Sequence, residues 1–232
     1  MDFSRSSAAA WRRLGVTLVV LGAALLANPA PSFATNVANE SVARSVLSEL
    51  SAAWWQWALS IPRNVHPLAV RDRYSARNCG IGQHGDVWFL GGSFSSSVAE
   101  RKCTIPAGVS IFFPVVNAEC SEIEGNGSTL GELRSCAASL MDEVTVVRAE
   151  VDGVPLDLDD ARVKSGLFAF KLPRRDVLGL FRQKPNPSPA ASDGWYVLLP
   201  PLPVGEHTIT FGASVPAFDF ELDIAYTVDI VD

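Results

Sequence analysis

Between Asn117 and Glu124 the chain gathers an amide and three carboxylates: Asn117-Ala118-Glu119-Cys120-Ser121-Glu122-Ile123-Glu124. Oxygen-rich segments of this kind hold hard cations such as calcium, and two neighbouring carboxyl groups can work as general acid and base. The spacing departs from the EF-hand loop, which needs acidic residues at positions 1, 3 and 5 and glycine at 6. The expected metal ligands are Glu119, Glu122 and Glu124, with calcium as the cation. The expected ligand contacts are Asn117, Glu119 and Glu122. A plain solvated acidic loop is the competing reading.

A second stretch, Cys79-Gly80-Ile81-Gly82-Gln83-His84-Gly85, is a glycine-rich loop tied down by a cysteine. Such a loop can converge backbone N–H groups and the Gln83 amide on one point, and Gln83 joins the expected ligand contacts. Three glycines can equally serve a tight turn. Phosphate-binding GxxxxGK[ST], dinucleotide GxGxxG and zinc HExxH patterns are missing from the sequence. Gly91-Gly92-Ser93-Phe94-Ser95 lacks the glycine that a nucleophile elbow carries after its serine. His207, in Gly205-Glu206-His207-Thr208, reads as a solvated residue at a strand start. Asp157-Leu158-Asp159-Asp160 reads as a plain acidic turn.

The compartment is read from the N-terminal leader and the cysteines. Arg5, Arg12 and Arg13 precede an apolar run from Leu14 to Ala27 and a small-x-small stretch, Ser32-Phe33-Ala34. This is the pattern of a secretory signal peptide, residues 1–34, cleaved near Ala34. A membrane span needs about 20 apolar residues, and this run is shorter. The expected product is a secreted or periplasmic protein with no membrane span after cleavage. Without residues 1–34 the chain keeps 16 basic and 24 acidic side chains. That balance argues against nucleic acid as a partner. Cys79, Cys103, Cys120 and Cys136 make an even set, which in an oxidising compartment reads as two disulfides. Three pairings are open, the sequential one being simplest. No close CxxC spacing favours zinc.

The elements that must carry these residues divide into two helices and a set of strands. Val42, Val46, Leu47, Leu50, Trp54, Trp57, Ala58 and Ile61 recur at helical steps, and Ile61-Pro62 ends the helix. Trp54 and Trp57 are expected in the core and Trp55 on the flank, with a sugar-stacking platform as the sharper alternative. Thr129-Leu130-Gly131-Glu132 matches a capping box and predicts a second helix with Leu130, Leu133, Cys136, Ala137, Leu140 and Met141 inside. Strands are expected at Val87–Leu90, Val109–Val116, Val144–Val151, Leu167–Leu172, Trp195–Leu199, His207–Phe211 and Phe220–Val231. The segment from Arg182 to Ser192, rich in proline and serine, is expected to be a surface loop. The sum is one mature domain, residues 35–232: a mainly β, antiparallel sandwich with an N-terminal helix and one inserted helix.

The segments Trp54-Trp55-Gln56-Trp57-Ala58-Leu59-Ser60-Ile61-Pro62 and Val87-Trp88-Phe89-Leu90-Gly91-Gly92 resemble a family of uncharacterised exported bacterial proteins. The resemblance continues through Ile111-Phe112-Phe113-Pro114-Val115-Val116-Asn117 and Leu202-Pro203-Val204-Gly205-Glu206-His207-Thr208-Ile209. It implies export, one domain and a β fold, and it assigns no residue a role. The expected function is a non-enzymatic exported module that binds a carbohydrate or small molecule, with calcium assisting. An exported hydrolase using Glu119 and Glu122 is the alternative, and an envelope or secreted scaffold is a further one.

Overall fold

Leu222, Ile224, Tyr226, Val228 and Ile230 alternate with polar or small residues. A strand with that pattern must lay one face on a core. The structure, a computed structural model, describes residues 40–69 and 75–232, so the expected signal segment lies outside the described residues. The alternating segment is the last strand, β10 (Phe220–Val231), with those five side chains buried. The remaining elements in chain order are α1 (Glu40–Ser60), the single turn α2 (Ser75–Asn78), β1 (Val87–Phe89), β2 (Ser97–Pro106) and β3 (Ser110–Ser121). Then come α3 (Leu130–Met141), β4 (Val146–Val151), β5 (Val154–Pro155), β6 (Arg162–Lys164), β7 (Phe168–Phe170), β8 (Ser188–Leu199) and β9 (Gly205–Val215).

The strands form two sheets. One runs β1-β3-β8-β6 with β7 also on β8, and the other runs β2-β10-β9-β4-β5. Ile111, Phe113, Val115 and Leu199 of the first share a core with Ile105, Ile209, Phe211, Ile224 and Val228 of the second. The result is a mainly β sandwich with two disulfides, as the residue pattern predicts. Two pairings depart from the antiparallel expectation: β1 with β3 and β2 with β10 are parallel. The cause is connectivity. The chain leaves β1 for the other sheet before returning as β3, so these hydrogen-bonded neighbours are not joined by a hairpin.

Helix α1 packs on the outer face of the first sheet. Its apolar side engages from Leu47 onward, while Val42 and Val46 stay exposed. Trp54, Trp55 and Trp57 are all buried among Phe89, Phe112, Phe170 and Tyr196. The Trp54 indole donates to Leu90 O (2.7 Å) and the Trp57 indole to Ile81 O (3.0 Å). Trp55 therefore sits in the core rather than on the flank, and the three rings offer no sugar platform. Helix α3 begins as predicted: Glu132 N–H donates to Thr129 Oγ1 (3.3 Å), and Thr129 N–H donates to the Glu132 carboxylate (3.0 Å). Gly131 is tolerated in that first turn because its side faces open space.

The stretch expected as a loop up to Ser192 is corrected by β8, which starts at Ser188. Ala190, Ala191, Ser192 and Asp193 are fully buried there. Their small size is what the position demands. A Cβ on the adjoining Gly194 would lie 2.5 Å from the Cβ of Asn117 on β3. Strand β2 has no counterpart in the sequence expectations. Its inward positions are Ala99, Arg101, Cys103 and Ile105, and the arginine breaks the apolar alternation that would have revealed it.

The cysteines pair sequentially, Cys79 with Cys103 and Cys120 with Cys136. The first bond ties the loop after α2 to β2, and the second ties β3 to α3. Loops of this size contribute about 3 kcal/mol per bond in the chain-entropy model. No helix among the described residues is long and apolar enough to cross a membrane.

Candidate functional site

A register shift between Pro114 and Val116 turns β3 by one residue relative to β8. Before it, Phe112 faces α1; after it, Val116, Ala118 and Cys120 pack on the side of α3 and the second sheet. Asn117, Glu119 and Ser121 are thereby turned to the α1 side, opposite Gly194, Ser192 and Ala190 of β8. The bulge converts an apolar strand face into a polar one. It delivers Asn117 and Glu119 to the edge of the tryptophan-rich core.

Tyr196 forms the floor of this polar face. Its ring stacks on Phe112 at 5.5 Å, and its hydroxyl lies 3.4 Å from Ser192 Oγ. Burial pushes the phenol up to about 12, against the opposing effect of the Ser192, Asn117 and Trp55 side chains around the hydroxyl. Of those neighbours, the Asn117 Nδ2 and the Trp55 Nε1 are buried and approach the hydroxyl without forming a well-aligned hydrogen bond. Two residues on, Glu119 Oε2 is also buried without a well-formed hydrogen bond, with the Ser121 and Glu124 side chains as its polar neighbours. Burial raises the Glu119 carboxyl well above the ordinary carboxylate range, and the facing Glu124 raises it further. Ser121 Oγ donates to Glu124 Oε2 at 2.7 Å and holds that second carboxylate in place. A proton or a cation between Glu119 and Glu124 would remove their repulsion.

The expected site residues separate accordingly. Asn117, Glu119 and Glu124 come together, with Ser121, Ser192 and Tyr196 as neighbours that sequence reasoning missed. Glu122 is held by its backbone, donating N–H to Pro189 O (3.0 Å), and it is Glu124 that faces Glu119. Among the described residues no three His, Cys, Asp or Glu side chains gather as a metal-holding group. Glu119, Glu122 and Glu124 thus do not converge as a three-carboxylate set. Gln83 is consumed internally: its amide donates to Cys79 O and Phe89 O, and its oxygen accepts from Phe89 N–H. It staples the glycine-rich loop to β1. Because Phe89 pairs with Phe112, Gln83 lies about 20 Å along β3 from Glu119.

Two further polar arrangements went unread in the sequence. His207, expected to be solvated, bonds Asp152 Oδ2 (2.8 Å) through Nδ1 and Pro203 O (3.0 Å) through Nε2. With both ring nitrogens facing acceptors, burial is outweighed and the imidazole is raised above its usual value. Arg101, inside the sandwich, donates to the carbonyls of Gly91 and Gly92 at 2.6 Å each and to the Tyr226 hydroxyl at 3.2 Å.

No protein-family model matches this chain, and no curated protein matches it in sequence. Among solved structures, PbICP-C in its complex with falcipain-2 is similar over 63% of this chain and 98% of that one, at 8% identity and a TM-score of 0.23. At that level neither fold nor activity carries over. Function must be read from the side chains.

Proposed function

We propose that this is an exported, non-enzymatic module that binds a carbohydrate or another small polar ligand at the Asn117–Glu119 face, with calcium assisting at the Glu119–Glu124 pair. The observation that carries the reading is a pair of buried polar atoms on one strand face, Asn117 Nδ2 and Glu119 Oε2, neither of them in a well-formed hydrogen bond. Unpaired buried polar atoms cost about 1–3 kcal/mol each, which ligand contacts recover. Neighbouring hydroxyls of a sugar, one accepting and one donating, are the complementary chemistry. The two disulfides fit an oxidising destination outside the cytoplasm.

One observation favours a second reading, an exported hydrolase. A carboxyl group raised by burial beside a second, accessible carboxylate is the pattern of a general acid with its partner. In that case Glu124, which faces Glu119, takes the part that sequence spacing gave to Glu122.

Thermal unfolding of the purified protein against calcium, chelator, and panels of glycans and metabolites tests the proposal. Binding at a hundredfold the dissociation constant raises the melting temperature by about 5–10 °C. The expected result is a hit that disappears in an Asn117→Ala, Glu119→Gln double variant. A response unchanged in that variant contradicts the site, and a flat panel favours the scaffold alternative.

A further inference from the structure

A second buried polar centre belongs to Arg101, in the middle of β2. It occupies an inward position of β2, between Ala99 and Cys103, and is 4% exposed. Glu100 and Lys102, its sequence neighbours, point outward. Its charge is therefore lodged within the sandwich core. Among the described residues no aspartate or glutamate pairs with it: one nitrogen serves the Gly91 and Gly92 carbonyls and the Tyr226 hydroxyl, all uncharged. The Nε–H is buried and makes no hydrogen bond.

The backbone around it is shaped for this grip. A Cβ on Gly91 would lie 2.7 Å from the Trp54 ring and one on Gly92 2.6 Å from Leu222, so only glycine lets both carbonyls reach the guanidinium. Tyr226 donates its own proton to Gly91 O at 2.8 Å, which fixes the ring under the arginine at 5.7 Å. The nearby His66 adds no positive charge. Its Nε2–H donates to Ala58 O (2.7 Å) and its Nδ1 accepts from Leu68 N–H (3.1 Å), so it is the neutral tautomer.

Beside Arg101 is a cavity of about 10 Å³ walled by Trp57, Leu68, Phe89, Leu90 and Tyr226. That is room for one compact occupant and too little for sulfate, phosphate or a carboxylate ligand. A buried cation with an unused donor is costly unless an anion accompanies it. We propose that this cavity is a single-anion site, taking a halide such as chloride or bromide on Arg101 Nε. The apolar walls suit a weakly hydrated monatomic ion, and the charge it brings balances the guanidinium.

The test uses the purified protein at constant ionic strength, with gluconate replaced stepwise by chloride or bromide. The expected result is a saturable rise in melting temperature of about 3–6 °C, absent from an Arg101→Met variant. Should that variant fail to fold, crystals of the unaltered protein soaked in bromide provide the second readout, with an anomalous peak expected at hydrogen-bond distance from Arg101 Nε. A melting temperature indifferent to the anion, or water at Nε in the bromide crystals, overturns the proposal.

Discussion

Glu119 and His207 respond to pH in ways that their environments set. The Glu119 carboxyl is raised in the folded protein, so its stabilising contribution is complete below the unfolded value of 4.5 and declines as pH rises through its folded value. Glu119→Gln, which keeps the shape and removes the titration, should therefore gain in melting temperature over the parent as pH goes from 5 to 8. A constant difference across that range would contradict the burial of an acid there. The His207–Asp152 pair has two limits. Asp152 is lowered because the hydrogen bonds from His207 and Thr208 together outweigh its burial, and this contribution is lost as pH falls below 3.8. His207 is raised, and its contribution is lost as pH climbs above 6.5 through the folded value. His207→Ala should cost about 0.5–1 kcal/mol near pH 5.5 and less at pH 9, measured by denaturant titration. At this scale the sequence was partly legible. An amide and acids on a cysteine-fastened segment pointed to Asn117 and Glu119. The choice of Glu124 over Glu122 was not legible, because the turn after β3, not sequence spacing, decides which carboxylate comes back to face Glu119.

Elements were legible where one periodicity ran undisturbed, as in β10, and where a capping pattern marked a start, as in α3. Thr129→Ala should remove the Glu132 N–H bond and lower stability by about 1 kcal/mol, a fall of about 2–4 °C in melting temperature. Strand β2 was hidden by Glu100-Arg101-Lys102, three charges of which the middle one points inward. The start of β8 was hidden by Ser188-Pro189-Ala190-Ala191-Ser192-Asp193, a loop-like composition that is in fact buried. Its Asp193 is completely buried and grips Arg162 through both oxygens, at 3.0 and 2.9 Å, which ties β6 to β8. Arg162 also reaches Asp142 at the end of α3 (2.7 Å) and lies over the Trp195 ring. Asp193→Ala should cost about 2–4 kcal/mol, since it strips a partly buried guanidinium of its inner partner. A loss under 0.5 kcal/mol would show that the grip contributes little.

At the scale of the whole molecule, two sheets share one core and each disulfide fastens a strand of a different sheet to a neighbouring helix or loop. Cys79–Cys103 lies next to Arg101 on β2, and Cys120–Cys136 next to Glu119 on β3. Replacing Cys120 and Cys136 by serine should lower stability by about 3 kcal/mol. It should also loosen the strand end that carries Asn117 and Glu119, so ligand response should weaken at temperatures where the sandwich still holds. The even cysteine count made two bonds legible, and the sequential pairing, the simplest of the three open to it, is the one the fold adopts. Both polar centres share one physical signature, a buried polar atom without a well-formed hydrogen bond.

The most direct measurement is a carbon-13 NMR titration of the Glu119 side-chain carboxyl, alone and with calcium or with a glycan found by thermal shift. The expected result is a midpoint well above the ordinary carboxylate range in the free protein, and a displaced resonance and midpoint when the ligand is added. An ordinary midpoint with no response to any ligand would contradict the proposed site.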